Sequence, residues 1–502
     1  MGWLPAALAG LLPILFIPTS VDAYVLPRVS LTLAGGGLLL GAGLVAGRRS
    51  LGSLRLPVLA VALGALVAAV LTATPAASLA GSYSRYESLP VRLAYLALFC
   101  GAAWLGERRH TVTAYLAGCG VAAVETLYQV ATHALPRADG NLGNANLLGA
   151  LLAMALPLTA GRALSAPPPA RRRWVALGAL LTAALAGSTS RSGWLGAVVG
   201  LGVLGAFLVP RRRLWLVLGA GTVALVAAAA LIAYTPLRAL NDDTGEARLG
   251  VWHDSLAVIA ERPVFGWGED AMGQVFGRHQ TSNWGPGHNF DRAHSMPLDL
   301  AATQGLVGLG ACTWLFGAWW LGVWRRRDLP GAAGLAGAAA AYLVWSLVNF
   351  DWAPATAAFW LLAGAAWPGA GRAAPPAVRW ETARNGAALV AVVAGLAAAV
   401  PPQVADVLYF LGRPGRAAAV DPLQPTYLTA SGDLASLRRA ADLGDSSPAT
   451  YVALGDAEAR AGNTDAAATA YRRALERYPF DPTARQRLGL GVATERPRAA
   501  SD

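Results

Sequence analysis

The sequence predicts an all-α, polytopic integral membrane protein, and three observations carry that prediction. Only 14% of the 502 residues are charged while 55% are hydrophobic, and the mean hydropathy is +0.44. Soluble domains carry about 25% charged residues. The missing charge corresponds to long uncharged runs, such as 58–74, 214–235 and 331–350, and apolar runs of about 18 residues or more read as transmembrane helices. The net charge of +11 comes from arginine with no lysine at all, and the arginines stand in short blocks between the apolar runs.

Taken in order, the crossings are expected at 3–19, 29–47, 56–74, 90–106, 111–131, 145–165, 174–188, 192–209, 214–235, 295–323, 332–350 and 353–370, with a thirteenth, Ala-rich and weaker, at 386–403. This gives about 12–13 transmembrane helices. The first follows Met1 without a basic leader, so it reads as a retained helix and not a cleaved signal. The arginine blocks are Arg48-Arg49, Arg108-Arg109, Arg171-Arg172-Arg173, Arg211-Arg212-Arg213 and Arg325-Arg326-Arg327. With the N-terminus inside, each falls on the cytoplasmic side, as the positive-inside bias requires. Segments 75–89, 132–144, 189–191, 236–294 and 351–352 then lie outside. The charge is thus explained by orientation, and nucleic acid is not an expected partner. The lack of lysine excludes a Walker A phosphate loop. The three cysteines, Cys100, Cys119 and Cys312, lie in apolar runs without metal spacing and read as packing residues.

Three regions follow: a transmembrane domain over 1–370, a linker with the last crossing over 371–411, and a polar helical domain over 412–502. Tyr451-Val-Ala-Leu-Gly455, Ala461-Gly462, Ala466-Ala-Ala-Thr-Ala-Tyr471, Ala474-Leu475 and the prolines Pro479 and Pro482 resemble one tetratricopeptide repeat. One repeat is few for a solenoid, so the domain reads either as a helical cap or as a docking surface for a protein partner. If 386–403 crosses, this domain lies outside; if not, it is cytoplasmic.

The loop 236–294 is long, and such loops are usually functional or disordered. Its density of tryptophan and glycine suggests a folded cap at the membrane surface. Three residues stand out. Arg191, in Ser188-Thr-Ser-Arg-Ser192, is an arginine on the outer edge, against the bias: either it snorkels to headgroup phosphates or it holds an anion, since guanidinium pairs with phosphate in bidentate geometry. Arg248 opens Arg248-x-x-x-Trp252 and is either a surface-helix arginine or a second anion contact. His294 is either an interfacial histidine with a satisfied hydrogen bond or a general base. Two guanidiniums that stabilise a departing diphosphate and one imidazole that takes a proton from a hydroxyl are the minimum for glycosyl transfer from a lipid diphosphate, with no metal or cofactor. Asp242-Asp243 reads as a solvated turn and not a metal site.

Several segments, in order, resemble the bacterial O-antigen ligase and O-antigen polymerase superfamily: Gly81-Ser-Tyr-Ser-Arg-Tyr-Glu87, Gly140-Asn-Leu-Gly-Asn-Ala-Asn146, the Ser-Arg turn at Arg191, Arg248-x-x-x-Trp252 with Arg262-Pro-Val-Phe-Gly-Trp-Gly268, Asp291-Arg-Ala-His294 with Gln304-Gly-Leu-Val-Gly308, and Asn349-Phe-Asp351. The likeness covers roughly 1–370. Many members have Asn after the histidine where this chain has Ser295, and His288-Asn289 is a rival match. The resemblance implies a GT-C-like membrane glycosyltransferase of the bacterial inner membrane, with its site facing the periplasm. Its donor would be an undecaprenyl-diphosphate-linked glycan and its acceptor a hydroxyl on a glycan, lipid or protein, among membrane lipids. It implies catalytic roles for His294, Arg191 and Arg248, and substrate contacts for Arg85, Arg292, Asn146, Trp252 and Gln304. Polymerase and protein O-oligosaccharyltransferase activities of the same superfamily are alternatives, and a lipid-linked glycan transporter is an alternative of another class.

Overall fold

The computed structural model describes residues 2–46, 49–213, 246–283, 290–367, 370–372 and 381–491. The expected crossing at 214–235, Asp242-Asp243 and His288-Asn289 lie outside the described residues. Within them the fold is helical, apart from a short antiparallel pair between Arg49–Ser50 and Ala370–Arg372.

Among the described residues, six helical stretches are long and apolar enough to cross a membrane: Val25–Val45, Gly52–Val70, Ala145–Ser165, Arg191–Leu208, Met296–Arg325 and Glu381–Phe410. Leu89–Leu105, Ala332–Ser346 and Ala353–Ala366 are shorter but apolar, and Arg108–Thr132 and Pro168–Gly187 pack with them. Small residues let these helices approach backbone to backbone. A Cβ at Gly37 would lie 2.5 Å from the Ala391 carbonyl, and one at Gly395 would lie 2.7 Å from the Leu33 carbonyl, which locks the last long helix to Val25–Val45.

Contacts define two ends. At one, Arg108 donates to the carbonyls of Ala365 and Pro330, Arg162 donates to the Arg109 carbonyl, and Arg49 pairs with Arg372. Phe207 meets Trp324 there, with ring centroids 4.9 Å apart. At the other lie the segments 81–88, 139–146, 188–191, 263–283 and 290–294, the turn 349–352, and the C-terminal domain. The blocks at 49, 108–109, 171–173, 211–213 and 325–327 therefore share the end opposite the loop.

The expected continuous helix over 3–19 is corrected. Only Leu4–Leu11 is helical, about 12 Å of rise, because Pro13 and Pro18 cannot continue it. The segment still traverses the bundle, from Gly2 beside the Leu105 carbonyl to Ser20 at the far end. Irregular backbone at that depth must be satisfied inside the protein. Arg28, fully buried, does this: it donates to the carbonyls of Leu12, Tyr24, Asn141 and Pro13.

The crossing expected at 386–403 forms within Glu381–Phe410, and its C-terminal end fixes the side of the C-terminal domain. Asp406, fully buried, accepts from Ser20 Oγ, the Asp22 amide, Tyr83 OH and Tyr427 OH. The N-terminal segment, the first loop, the last long helix and the C-terminal domain meet on this one carboxylate. The domain's helices, from Pro414–Val420 to Pro482–Arg487, stand at the end that carries the loop. Buried Arg477 donates to the Gln274 carbonyl, and Tyr478 OH to Asn283 Oδ1 at 2.9 Å, so the domain packs onto the loop.

Candidate active site

The site grows from a break in one helix. Met296–Arg325 is interrupted at Gly305, whose φ of 67° and ψ of −170° are non-helical. A break leaves backbone groups unpaired, and the segment 263–268 takes them up. Trp267 and Gly268 amides donate to the carbonyls of Ala302 and Thr303, and Leu306 and Val307 amides donate to the carbonyls of Pro263 and Val264. A Cβ at Gly305 would lie 2.2 Å from the Val264 carbonyl, and one at Gly266 would lie 2.4 Å from the Thr303 carbonyl. The Pro-x-x-Gly-x-Gly and Gln-Gly stretches are therefore two halves of one joint. Above it, Glu246–Glu261 lies on the loop's own core of Val251, Val258, Trp267, Met272, Val275, Phe276 and Ala293. The expectation of a folded cap holds for the described part of the loop.

The joint holds the short half-helix 296–304 against a buried network of charges. Arg92 lies at its centre, paired with Glu269 at 3.3 Å, Glu87 at 3.7 Å and Asp351. Gln304 Nε2 donates to Glu269 Oε1 at 2.5 Å. Arg292 pairs with Asp270, and Arg85 with Asp291 at 2.6 Å. Asp299 accepts from the Ala293 amide at 2.7 Å. Burial pushes the Glu87 carboxyl up to about 7, against the pull of Arg92. Burial also raises Asp270, with Arg292 opposing. Asp291 goes the other way: burial would raise it, but Arg85, Arg292 and His294 hold it below the usual carboxylate range.

His294 stands at the edge of this network. Its ring lies 5.2 Å from that of Phe350 and 5.9 Å from that of Phe290, both edge-on. Arg85 lies over the Phe350 and Trp352 rings at 5.1 and 4.7 Å, and Arg292 over Phe350 at 6.0 Å. His294 holds φ of 50°, a left-handed conformation that costs a residue with a Cβ about 1–2 kcal/mol. Ser84, Tyr86, His133, Asn141, Thr189 and Asp270 share positive φ, and all lie at this end of the bundle. Such strain collects at working sites.

A second cluster forms at the Ser-Arg turn. Ser190 caps Arg191–Leu208, accepting from the Gly193 amide and donating to Asn146 Oδ1 at 3.1 Å. Arg137 reaches Thr189 Oγ1 at 3.0 Å, Asn146 Oδ1 at 3.2 Å and the Ser188 carbonyl at 3.4 Å. A Cβ at Gly196 would meet Ala341 and one at Gly200 would meet Gly337, so this helix runs antiparallel to Ala332–Ser346. Arg191 therefore sits at the end where that helix leads through Asn349 to Phe350 and His294.

The structure thus brings His294, Arg85, Arg292 and Gln304 into one network and Asn146 to the Arg191 turn. Arg248 lies one turn before Val251, on the side of its helix that carries this buried residue of the loop's core. Trp252 Nε1 is buried without a hydrogen-bond partner among the described residues. Arg85 and Arg292 are each matched by a carboxylate. Sequence reasoning missed Arg92, Glu87, Glu269, Asp270, Asp299, Asp351 and Arg137. Arg92 and Asp299 did carry a signal, because an ionisable group inside an apolar run marks a working site. Arg137 carried one as well, as a further arginine on the outer side. No cluster of His, Cys, Asp and Glu among the described residues is arranged to hold a metal ion.

Residues 176–313 match the O-antigen ligase family. The O-antigen ligase match spans Arg191, Arg248 and His294 and both halves of the Gly305 joint. Residues 448–490 match a tetratricopeptide repeat. No curated protein matches the chain. The chain is thus a multi-pass helical membrane protein with a region that matches the O-antigen ligase family and a C-terminal segment that matches a tetratricopeptide repeat.

Proposed function

We propose that the protein transfers a preassembled glycan from an undecaprenyl-diphosphate carrier to an acceptor hydroxyl, at the end of the bundle that carries the loop. The O-antigen ligase match over the segment that holds Arg191, Arg248 and His294 carries this reading. His294 takes the proton of the acceptor hydroxyl as it attacks the anomeric carbon, the bond to the diphosphate breaks, and the diphosphate leaves with the electron pair. Arg191 and Arg248 stabilise the departing charge. The Arg92 network supports this division of labour, since its carboxylates outnumber its guanidiniums and Arg85 and Arg292 are already paired within it. The network positions the half-helix that follows His294, and the main hold on the anion falls to Arg191 and Arg248. The arginine blocks at the opposite end support a site on the extracytoplasmic face of the inner membrane, by the positive-inside bias. The acceptor decides between ligase and polymerase, and mass spectrometry of the glycoconjugates reads it, as a missing attachment or as an altered chain length.

The test is transfer in vesicles from an undecaprenyl-diphosphate glycan by purified full-length protein. His294→Ala should lower turnover by about 100-fold or more. Arg191→Ala and Arg248→Ala should each lower it by about 100-fold. Full activity in all three folded variants would sink the assignment.

A further inference from the structure

The last long helix and the first helix that follows the broken segment enclose a cavity of about 250 Å³ near the end that carries the loop. Its walls are apolar, chiefly Leu26, Val29, Leu33, Leu79, Val91 and Leu423. Val25–Val45 and Glu381–Phe410 both have the length and composition to cross a membrane, so what reaches this slot laterally is hydrocarbon. An apolar cavity of about 150 Å³ already holds a benzene molecule, so the slot is large enough for a segment of lipid chain.

The polar groups around it include no cation: Ser30 and Ser88 line it, Ser30 donating to the Ala399 carbonyl, and the rest can accept hydrogen bonds. Pro401 and Pro402 also line the cavity, with Ala397 and Ala398. Proline has no N–H, so the helix cannot bond the Ala397 and Ala398 carbonyls in the ordinary i→i−4 pattern. Asp421, nearly buried, contributes a carboxyl from the C-terminal domain, and no described cation forms an ion pair with it. Tyr86, 3% exposed, lines the cavity with a phenol that has no hydrogen-bond partner among the described residues. Two carbonyls, a carboxylate and a phenol can hold a head group that donates hydrogen bonds. No arginine lines the slot, so a diphosphate would meet only Asp421.

We propose that this slot binds one bilayer lipid, its chain in the groove that Val25–Val45 and Glu381–Phe410 form with Leu79 and Val91, and its ammonium head on Asp421 and Tyr86. It is distinct from the donor site, which needs cations. The lipid would buttress the joint between membrane domain and C-terminal domain, because Val420, Asp421, Pro422 and Leu423 form its roof.

Native mass spectrometry on the delipidated full-length protein, re-exposed to vesicles of phosphatidylethanolamine or of phosphatidylglycerol, tests this. The wild type should retain one phosphatidylethanolamine, with a preference of about tenfold over phosphatidylglycerol. Ala397→Trp, which fills the slot from an exposed position, should abolish retention of both. Asp421→Asn and Tyr86→Phe should keep a bound lipid but lose most of the preference. Retention unchanged in Ala397→Trp would overturn the site. Equal retention of the two lipids by the wild type would overturn the head-group assignment.

Discussion

Arg92 shows what a single buried side chain does here. Its guanidinium gathers Glu87 from the loop 81–88, Glu269 from the loop 263–270 and Asp351 from the turn 349–352, and these three segments surround the half-helix that follows His294. Removing it leaves buried carboxylates without their counter-ion, which costs about 3–5 kcal/mol. Arg92→Ala is therefore expected to lower the melting temperature and abolish transfer, with both read on the same purified protein. Glu87 supplies a pH test. Its carboxyl is raised from 4.5 to about 7 by burial, so the folded state favours the protonated form. Its contribution to stability is fully present below pH 4.5 and is lost as pH rises through about 7. Glu87→Gln should flatten that part of the stability profile, as followed by thermal unfolding between pH 4.5 and 8. None of this was legible along the chain. Arg92 and Asp299 could be seen as charges in apolar runs, but their partners come from loops far away in sequence, and spacing gives no pairing across such distances. His294 could be singled out by its place before an apolar run, as either an interfacial histidine or a general base.

At the scale of elements, the periodicity and length of apolar runs located the helices, and prolines decided where that reading failed. Pro13 and Pro18 broke the first crossing, and its carbonyls were rescued by Arg28, whose role depends on a neighbour in space. Gly305 gives the sharpest element-level test. Gly305→Ala would press a Cβ against the Val264 carbonyl at 2.2 Å in a left-handed conformation. The expected cost is about 1–3 kcal/mol of backbone strain, with release of the segment 263–268. Faster hydrogen exchange at the Trp267 and Gly268 amides, together with lost transfer, checks this. The sequence showed both glycine motifs but not that one clasps the other, since their pairing crosses from loop to helix.

The whole molecule is closed by its C-terminal domain. The repeat pattern was readable from its small residues and prolines, while its place against the loop was not. Arg477→Ala removes the hydrogen bonds to the Gln274 carbonyl, the Asp445 carbonyl and Tyr451 OH, at about 2–3 kcal/mol. Exchange at 271–283 should rise while the transmembrane helices stay protected, and hydrogen-exchange mass spectrometry separates the two. Asp406 has another consequence, one of timing. Ser20 and Asp406 are separated by 386 positions, and at about 5–20 residues per second the ribosome needs roughly 20–80 s to travel from one to the other. Throughout that interval the nascent protein lacks the acceptor for Ser20, Asp22 and Tyr83, so its loop end stays unfastened while most of the bundle is already made. A chain halted before residue 406 should insert its earlier helices yet leave that end open to protease, so that biogenesis, and not only catalysis, depends on the last helix.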